Sequence, residues 1–140
     1  MKTIVPIPLD ATTSFKLSRV KQRDTPIELA VRAVLYAYGY SYRTKNSDLP
    51  GSPDIANRRN KWAIFVHGCF WHHHKGCSKA TIPKNNIDFW SNKFERNKKR
   101  DAAAIAALKN AGYRVLVIWE CETKKANILE NKIINFMKIL

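Results

Sequence analysis

Hydrophobic and polar positions predict an amphipathic helix that begins near Thr25. The segment Thr25-Pro-Ile-Glu28 offers an N-cap residue, a proline at the first helical position and a glutamate at the third position of a capping box. Gly39 is placed to end the helix. Between these signals, apolar residues recur at three- and four-residue spacing, which gives the helix one apolar face. These residues are Ile27, Ala30, Val31, Val34 and Tyr38.

Short β-prone runs follow this helix and are separated by segments rich in turn-forming residues. Residues 40–44, 54–56 and 62–66 form three such runs and predict an antiparallel meander. Residues 62–66 and 115–119 are apolar at every position, as expected for strands covered on both faces. A helix of about two dozen residues, residues 88–111, connects these two strands and predicts a parallel crossover.

The C-terminal segment predicts a final amphipathic helix, with Leu129, Ile133, Phe136 and Leu140 on one stripe. We find no internal repeat, low-complexity segment or flexible linker in the sequence. The pattern therefore predicts a single domain over residues 1–140, of the α/β class, with helices on both faces of a mixed sheet. Residues 1–14 are expected to form an irregular N-terminal arm.

The net charge of the chain indicates which class of molecule it binds. The 140 residues include 25 Lys and Arg against 11 Asp and Glu, which gives a formal net charge of +14 and a pI near 10.0. This imbalance predicts a polyanionic partner. No apolar run approaches the roughly 20 residues that span a bilayer, and Pro6 and Pro8 interrupt the stretch that a signal peptide would need. We therefore expect an intracellular, cytoplasmic protein that binds nucleic acid rather than a membrane.

The segment from His67 to Cys77 contains all four histidines and two of the three cysteines. An odd number of cysteines argues against a disulfide framework and favours free thiols or metal ligands. Cys69, His74 and Cys77 can supply three ligands from one loop, and Cys121, which follows the second apolar strand, can supply a fourth. This set predicts a closed, structural zinc site. The alternative is a group of ordinary buried thiols beside a surface histidine run.

Asp54 and His67 lie at the ends of two adjacent predicted strands, so both can point at one spot. A carboxylate and backbone oxygens are a usual way to hold Mg²⁺. The alternative for Asp54 is a strand-end residue that accepts hydrogen bonds from nearby amides. Because imidazole takes or gives a proton near neutral pH, one of His67, His72 and His73 can be a catalyst.

Two polar residues, Asn97 and Asp101, interrupt the apolar stripe of the long predicted helix. Either Asp101 is capped or salt-bridged, or this helix face passes under a partly buried polar site. Residues 93–100 carry five basic side chains against one acid, and residues 58–61 form a basic turn that we place near the proposed site. Both regions could bind phosphates.

Aromatic residues accompany these charges. Phe70 and Trp71 lie inside the predicted zinc loop, and Trp90 lies at the beginning of the long helix. Aromatic side chains held in this way can wedge between base pairs, at a cost of roughly a few kcal/mol for each unstacked step. Core packing is the alternative, and it fits Trp90 equally well.

Together these residues resemble the very-short-patch-repair (Vsr) family of mismatch endonucleases, from about Ser18 to about Cys121. The segments that carry the resemblance are Arg-Asp-Thr-Pro-Ile-Glu28, Leu-Pro-Gly-Ser-Pro-Asp54, His67-Gly-Cys-Phe-Trp-His72, Phe89-Trp90 and Arg114-Val-Leu-Val-Ile-Trp-Glu-Cys121. The resemblance implies a restriction-endonuclease-like, three-layer α/β/α fold with a central mixed sheet and a structural zinc site. It also implies magnesium-dependent nicking of one DNA strand, 5′ of the thymine in T:G mismatches that arise from 5-methylcytosine deamination.

The resemblance assigns roles to individual active-site residues. Asp54 matches the family's magnesium carboxylate. Val66 matches a position that binds the metal through its backbone carbonyl, with valine in place of a threonine. His72 matches the histidine that activates the attacking water, and His67 matches a second active-site histidine.

Further residues match the surroundings of that site. The carboxylates that hold metal-bound waters match Glu28 and Asp101. The aromatics that intercalate beside the mismatch match Phe70, Trp71 and Trp90. The zinc ligands match Cys69, His74, Cys77 and Cys121.

One main hypothesis and two alternatives follow. The main hypothesis is a monomeric, magnesium-dependent endonuclease that nicks double-stranded DNA, contacts it through Lys93, Asn97 and Arg100, and has mismatch-repair proteins as further partners. One alternative is a restriction or defence nuclease of the same fold that acts on other DNA. The other is a zinc-stapled module that binds distorted DNA without cutting it, in which Asp54 and His72 are structural.

Overall fold

The computed structural model describes residues 25–72, 74–78 and 80–138. The expected N-terminal arm, His73 and Leu140 lie outside the described residues. The described part of the chain contains four helices and three strands. In chain order they are α1 (Pro26–Ala37), β1 (Ile55–Asn57), β2 (Trp62–His67), α2 (Ile87–Asn110), β3 (Arg114–Trp119), α3 (Glu120–Thr123) and α4 (Ala126–Met137).

Helix α1 begins and ends where the sequence signals predict. The Thr25 hydroxyl accepts a hydrogen bond from the Glu28 amide at 3.3 Å, which satisfies one of the N–H groups that lack an intrahelical partner. Gly39 follows the helix with φ +76°, a left-handed conformation that glycine adopts without steric cost. Val31 and Leu35 are fully buried and join the main core cluster. The predicted apolar face is confirmed for Ile27, Ala30, Val31 and Val34, whereas Tyr38 follows the helix and is 46% exposed.

The three strands form one mixed sheet in the order β1-β2-β3. Strands β1 and β2 pair antiparallel, with Ile55 opposite Ile64. Strands β2 and β3 pair parallel, with His67 opposite Trp119. The predicted hairpin and the predicted parallel crossover through α2 are both confirmed, and the carboxyl ends of β2 and β3 therefore meet at one edge of the sheet.

The predicted strand at residues 40–44 is reduced to a single bridge. Only Arg43 pairs there, in an isolated antiparallel bridge with Ala56. The chain then turns, because the buried Asn46 side chain donates to the carbonyls of Arg43 and Pro53 at 3.0 and 3.1 Å. This segment therefore supports the turn that leads to Asp54 instead of extending the sheet.

Alternate residues of the strands belong to two hydrophobic clusters, which lie on opposite faces of the sheet. Ile64 and Val66 of β2 pack in one cluster with residues of α1 and α4. Ala63 and Phe65 of β2 pack in the other with Leu108 of α2. Every residue of β2 is buried, which explains its uninterrupted apolar sequence. The chain has an α/β fold built on a mixed sheet, as predicted.

Helix α4 buries Leu129, Ile133 and Phe136. These are the three positions of the predicted C-terminal stripe that fall within the described residues, and their burial confirms the amphipathic helix. Among the described residues, no helix is both long enough and apolar enough to cross a bilayer.

We expect Gly51→Ala to destabilise the fold strongly. Gly51 has φ +72°, and a Cβ added there would lie 2.5 Å from the Ala104 Cβ and 3.3 Å from the Phe65 ring. Backbone strain and overpacking then act together, so the free energy of unfolding should fall by about 2–4 kcal/mol in denaturant titrations. Gly39→Ala is the matched control, because Gly39 has φ +76° but no atom within 4 Å of an added Cβ. Equal losses in the two variants would contradict the close packing at Gly51.

Candidate active site and metal centre

Asp54 and Val66 meet at one end of the β1-β2 hairpin. Because Ile55 pairs with Ile64, Asp54 lies beside the end of β2. There the Val66 N–H donates to Asp54 Oδ2 at 2.7 Å. Asp54 is only 4% exposed. The predicted convergence of the two strand ends is confirmed, and it places a buried carboxylate next to the main chain of Val66.

His67 and His72 form a parallel pair at the same end of β2. Their ring centroids lie 3.8 Å apart with an interplanar angle of 4°. Burial, followed by the neighbouring His72, lowers the pKa of His67 to about 3, so His67 is neutral at physiological pH. An imidazole nitrogen binds a metal through a lone pair in its own ring plane, so two parallel stacked rings are poorly placed to bind one ion. The pair is better suited to hydrogen bonding and proton transfer.

Asp101 of α2 contacts the His72 ring. Its Oδ2 atom lies 2.6 Å from His72 Nδ1, although 29 residues separate the two in the chain. When Asp101 is ionised its carboxylate only accepts hydrogen bonds, so a neutral His72 ring then carries its proton on Nδ1 and its lone pair on Nε2. Within the described ranges, His72 Nε2 is buried and has no hydrogen-bond partner. This arrangement presents a basic nitrogen that can accept a proton.

A cleft of about 530 Å³ opens beside the histidine pair. His67, His72 and Asp101 line it, and the exposed side chains of Lys75 and Lys98 add positive charge to its wall. Positive charge beside a proton-accepting nitrogen suits a substrate that carries phosphate groups. The two lysines were not among the site residues predicted from the sequence.

Trp119 also lines the cleft and was not predicted. Its ring lies edge-on to His67, with 5.1 Å between centroids, and stacks on His74 at 4.0 Å and 6°. The Trp119 ring therefore lies between the rings of His67 and His74. The parallel pairing of β2 with β3, which sets Trp119 opposite His67, is the signal that could have identified it.

Cys69, His74, Cys77 and Cys121 form a compact group of possible metal ligands. One ligand atom from each lies within 4.8 Å of the other three, and the Sγ atoms of Cys69 and Cys121 both lie 3.6 Å from His74 Nδ1. Zinc bonds of about 2.0–2.3 Å place tetrahedral ligand atoms about 3.5–3.8 Å apart. The donor types and spacings therefore fit a zinc ion, and the structure brings together all four predicted ligands.

The loop that carries Cys69 is held by hydrogen bonds at this edge of the sheet. The Cys69 N–H donates to Glu120 Oε1 at 3.3 Å, and the His74 N–H donates to the Cys69 carbonyl at 2.9 Å. Burial, together with the neighbouring Cys121 and Cys77 thiols, raises the pKa of Cys69 to about 12. A bound cation would reverse that shift, because thiolates are the form that ligates metals.

Phe70 and Trp71 belong to an aromatic cluster with Trp90 and Phe94. The Phe70 ring centroid lies 5.1 Å from that of Trp71, 5.6 Å from that of Trp90 and 5.4 Å from that of Phe94. Phe70 and Trp71 are half-buried, whereas Trp90 is 6% exposed. The structure thus places the three predicted intercalating residues side by side, with Trp90 the least accessible of them.

The three DNA contacts predicted on α2 differ in accessibility. Arg100 is exposed, whereas Lys93 and Asn97 are 7% and 2% exposed. Burial, followed by the charges of Arg100 and Arg96, lowers the pKa of Lys93. The Asn97 amide donates to the Trp71 carbonyl at 2.9 Å and accepts from Arg100 at 3.1 Å. Both polar atoms of the Asn97 side chain are therefore bonded inside the protein.

Glu28 lies in the first turn of α1 and is buried. Its amide donates to Thr25, as predicted for the cap, and its carboxylate accepts from Arg32 at 3.3 Å. This ion pair has the i,i+4 spacing that stabilises helices. The role of Glu28 toward metal-bound water stays a prediction.

The main chain of the basic turn at residues 58–61 does not lie near this site, which corrects the prediction, although the Arg58 side chain donates to Asn46 Oδ1 at 3.1 Å and Asn46 in turn bonds the Pro53 carbonyl. Asn57 pairs with Trp62, which places the turn at the opposite end of the hairpin from Asp54 and Val66. At 3.3 Å per residue the separation along β2 is about 13 Å. An antiparallel hairpin that joins Asp54 to Val66 at one end necessarily holds its turn at the other.

Comparisons with known proteins match most of the chain. The family model described as DNA mismatch endonuclease Vsr matches residues 9–79. Type II nicking enzyme V.XorIIP of Xanthomonas oryzae pv. oryzae is 42% identical over 123 residues, which cover 88% of this chain and 90% of that protein. Type II nicking enzyme V.NmeAIP of Neisseria meningitidis is 38% identical over 120 residues, which cover 86% and 85%.

The third relative is DNA mismatch endonuclease Vsr of Escherichia coli, 39% identical over 111 residues that cover 79% of this chain and 70% of that protein. The aligned segments cover 90%, 85% and 70% of the three relatives, which is more than two thirds of each. The match to the family model covers Asp54, Val66, His67, His72 and three of the four cysteine and histidine ligands. The chain therefore belongs to the Vsr family of DNA mismatch endonucleases.

Proposed function

We propose that the protein is a magnesium-dependent endonuclease that nicks one strand of double-stranded DNA 5′ of the thymine in a T:G mismatch. Membership of the family supports the endonuclease class, and the relatives named nicking enzymes support cutting of a single strand. The observation that carries the chemistry is the His72–Asp101 pair, which lines a cleft together with two lysines and in which the buried His72 Nε2 has no hydrogen-bond partner among the described residues.

In the proposed reaction, His72 Nε2 takes a proton from the attacking water. Asp101 keeps the other proton on Nδ1 and stabilises the imidazolium that forms. The water oxygen bonds to phosphorus and the bond from phosphorus to the 3′ oxygen breaks. Once the leaving 3′ oxygen takes a proton from solvent water, the products are 5′-phosphate and 3′-hydroxyl ends. His67 stays neutral because of its low pKa, so it adds no second positive charge beside the imidazolium.

Asp54 and the Val66 carbonyl are proposed to hold the magnesium ion. The buried Asp54 carboxylate accepts from the N–H of Val66, and its oxygens are ligands of the kind that a hard cation prefers. When bound, the ion neutralises charge that develops on the phosphate. Glu28 and Asp101 are proposed to hold its water ligands, which for Asp101 is a role in addition to orienting His72.

Cys69, His74, Cys77 and Cys121 are proposed to hold a structural zinc ion. Their spacing supports this assignment, and so does the position of the loop between the ends of β2 and β3. We also propose that the fold has the three-layer α/β/α arrangement of restriction endonucleases. The two hydrophobic clusters on opposite faces of the sheet, each with its own helices, support that proposal.

The aromatic cluster offers a physical basis for mismatch selection. Phe70 and Trp71 are partly exposed on the loop that also carries His72, and Trp90 packs against Phe70 behind them. A mispaired step stacks poorly, so a wedge beside it costs less than at a paired step. Arg100, together with the lysines of the cleft, is the proposed contact to the DNA backbone.

The test is a gel assay of end-labelled duplexes that differ only in one T:G mismatch, incubated with the full chain and MgCl₂. We expect one cut in the mismatched strand, 5′ of the thymine, an intact opposite strand, and no cut when EDTA replaces MgCl₂. The T:A duplex of the same sequence is the matched control. Equal cutting of both duplexes would favour the alternative of another DNA target, which the relatives named Type II nicking enzymes keep open. Binding without cutting would contradict the proposal.

A further inference from the structure

We propose that Asn97 is a positioning residue, which holds the peptide between Trp71 and His72 and thereby sets the place of His72 during catalysis. The inference goes beyond the role of a DNA contact, and it rests on the proposed function of His72 as the general base. It is carried by hydrogen bonds that converge on one peptide group.

The peptide group between Trp71 and His72 is held at both of its polar atoms. Its carbonyl oxygen accepts from Asn97 Nδ2 at 2.9 Å. Its N–H donates to the Gly68 carbonyl at 3.1 Å. Because a peptide group is planar, holding these two atoms also restricts the Cα positions of Trp71 and His72. The hydrogen bond from Asn97 therefore positions both Trp71, a proposed intercalating residue, and His72, the proposed general base.

The orientation of the Asn97 amide follows from its two partners. An arginine guanidinium can only donate, so the atom 3.1 Å from Arg100 must be the amide oxygen. A carbonyl can only accept, so the atom that faces Trp71 must be the amide nitrogen. Asn97 is 2% exposed. Both polar atoms of its side chain are therefore used in hydrogen bonds within the protein. Of the residues in this series of hydrogen bonds, Arg100 is the one exposed to solvent.

Helix α2 holds His72 at two points. Asn97 and Asp101 lie four residues apart, so they occupy neighbouring positions on one face of the helix. Asn97 holds the main chain at His72, and Asp101 holds the ring through Nδ1 at 2.6 Å. If only the Asp101 contact existed, the ring could rotate or shift with the loop. A displacement of about 1 Å at a reacting group can lower a rate by about 10²-fold.

The variant Asn97→Asp tests this inference with little change in shape. It keeps an acceptor for Arg100 but places a carboxylate oxygen against the Trp71 carbonyl, where two acceptors repel. Asn92→Asp is the matched control, because Asn92 is exposed on the same helix and the substitution makes the same change of charge. Three quantities are measured on the full chain: the single-turnover nicking rate at saturating mismatched DNA, the Kd for a matched duplex, and hydrogen exchange of the His72 amide without DNA.

Relative to Asn92→Asp, we expect the saturating rate of Asn97→Asp to fall by about 10- to 100-fold. The Kd for matched DNA should change by less than about threefold, because the buried Asn97 side chain is expected to make no contact with the DNA backbone. Protection of the His72 amide against exchange should fall, since the peptide loses one of its two anchors.

Two results would overturn the inference. A higher Kd with an unchanged saturating rate would make Asn97 a DNA contact, and unchanged amide protection would show that the peptide does not depend on Asn97. If Asn97→Asp does not fold, Asn97→Ala against Asn92→Ala gives the same comparison without the charge. If the unmodified chain does not nick DNA, the proposed function fails, and the exchange measurement still decides whether Asn97 holds the peptide.

Discussion

His72→Ala is expected to lower the single-turnover nicking rate by about 10²–10⁴-fold, the range that a general base contributes. The substitution removes the Nε2 atom that is proposed to accept the proton from water. His67 stacks beside it but cannot take its place, because a group with a pKa of about 3 is a poor base at neutral pH. The affinity for DNA should stay within a few-fold, since the ring is 2% exposed and contributes little contact surface.

Asp101→Asn extends this test to the orientation of the ring. The amide can donate to His72 Nδ1 and so move the imidazole proton to Nε2, which would make that atom unable to act as a base. We therefore expect a loss of rate with binding retained. Asp88→Asn is the matched control, because Asp88 is an exposed carboxylate at the start of the same helix.

The role of His72 as the general base would be contradicted if His72→Ala nicked DNA as fast as the unmodified protein and had the same melting temperature. His72 would then be structural, and the base would have to lie elsewhere in the cleft. Loss of DNA affinity and rate together would instead indicate that the loop carrying Phe70 and Trp71 had moved, so the melting temperature and the Kd must be measured in the same preparation.

Removal of zinc is expected to unfold the protein. Structural zinc sites contribute apparent binding energies of about 10–16 kcal/mol, whereas the net stability of a domain is about 5–15 kcal/mol. The described residues of the Cys69 to Cys77 loop form no helix or strand, and the proposed ligands connect the loop to Cys121 after β3. A chelator that binds zinc tightly should therefore abolish the thermal transition seen by far-UV circular dichroism, and Cys121→Ser should have a similar effect.

Thiol accessibility provides an internal control for the chelation experiment. The chain has three cysteines, and all three are proposed ligands. All three should react with a thiol reagent after chelation and resist it before. Adding back Zn²⁺, but not Mg²⁺, should restore the transition, because thiolate ligands favour the softer ion. A purified protein that contains no zinc and melts unchanged in chelator would disprove the assignment.

Local patterns predicted most of the secondary structure, and their one clear error is informative. Tyr40 and Tyr42 do pack against the core, as the alternating pattern at residues 40–44 suggests. The segment still forms only one bridge, because β1 offers three residues for pairing and Asn46 turns the chain away. Side-chain periodicity reports which residues are buried, whereas strand pairing depends on the length and register of the neighbour.

Some parts of the candidate site could be predicted from the sequence and others could not, because residues that cluster in the sequence are visible there whereas contacts across strands are not. Cys69, His74 and Cys77 lie within nine residues, so their clustering is visible in the sequence. The resemblance to the Vsr family supplied the roles of His67 and His72. The main chain of the turn at residues 58–61 lies farther from the site than predicted, because residues close in the sequence can lie at opposite ends of a hairpin.

By itself the sequence determined the apolar periodicities of the helices and strands, the charge that favours DNA, and the residue types able to bind zinc and move a proton. Only the tertiary structure decided which nitrogen of His72 has no hydrogen-bond partner among the described residues, that Trp119 lines the cleft, and that Asn97 bonds to the loop. The physical reason is that periodicity is a property of one segment. A hydrogen bond or a shifted pKa is instead set by burial and by side chains that distant segments bring into contact.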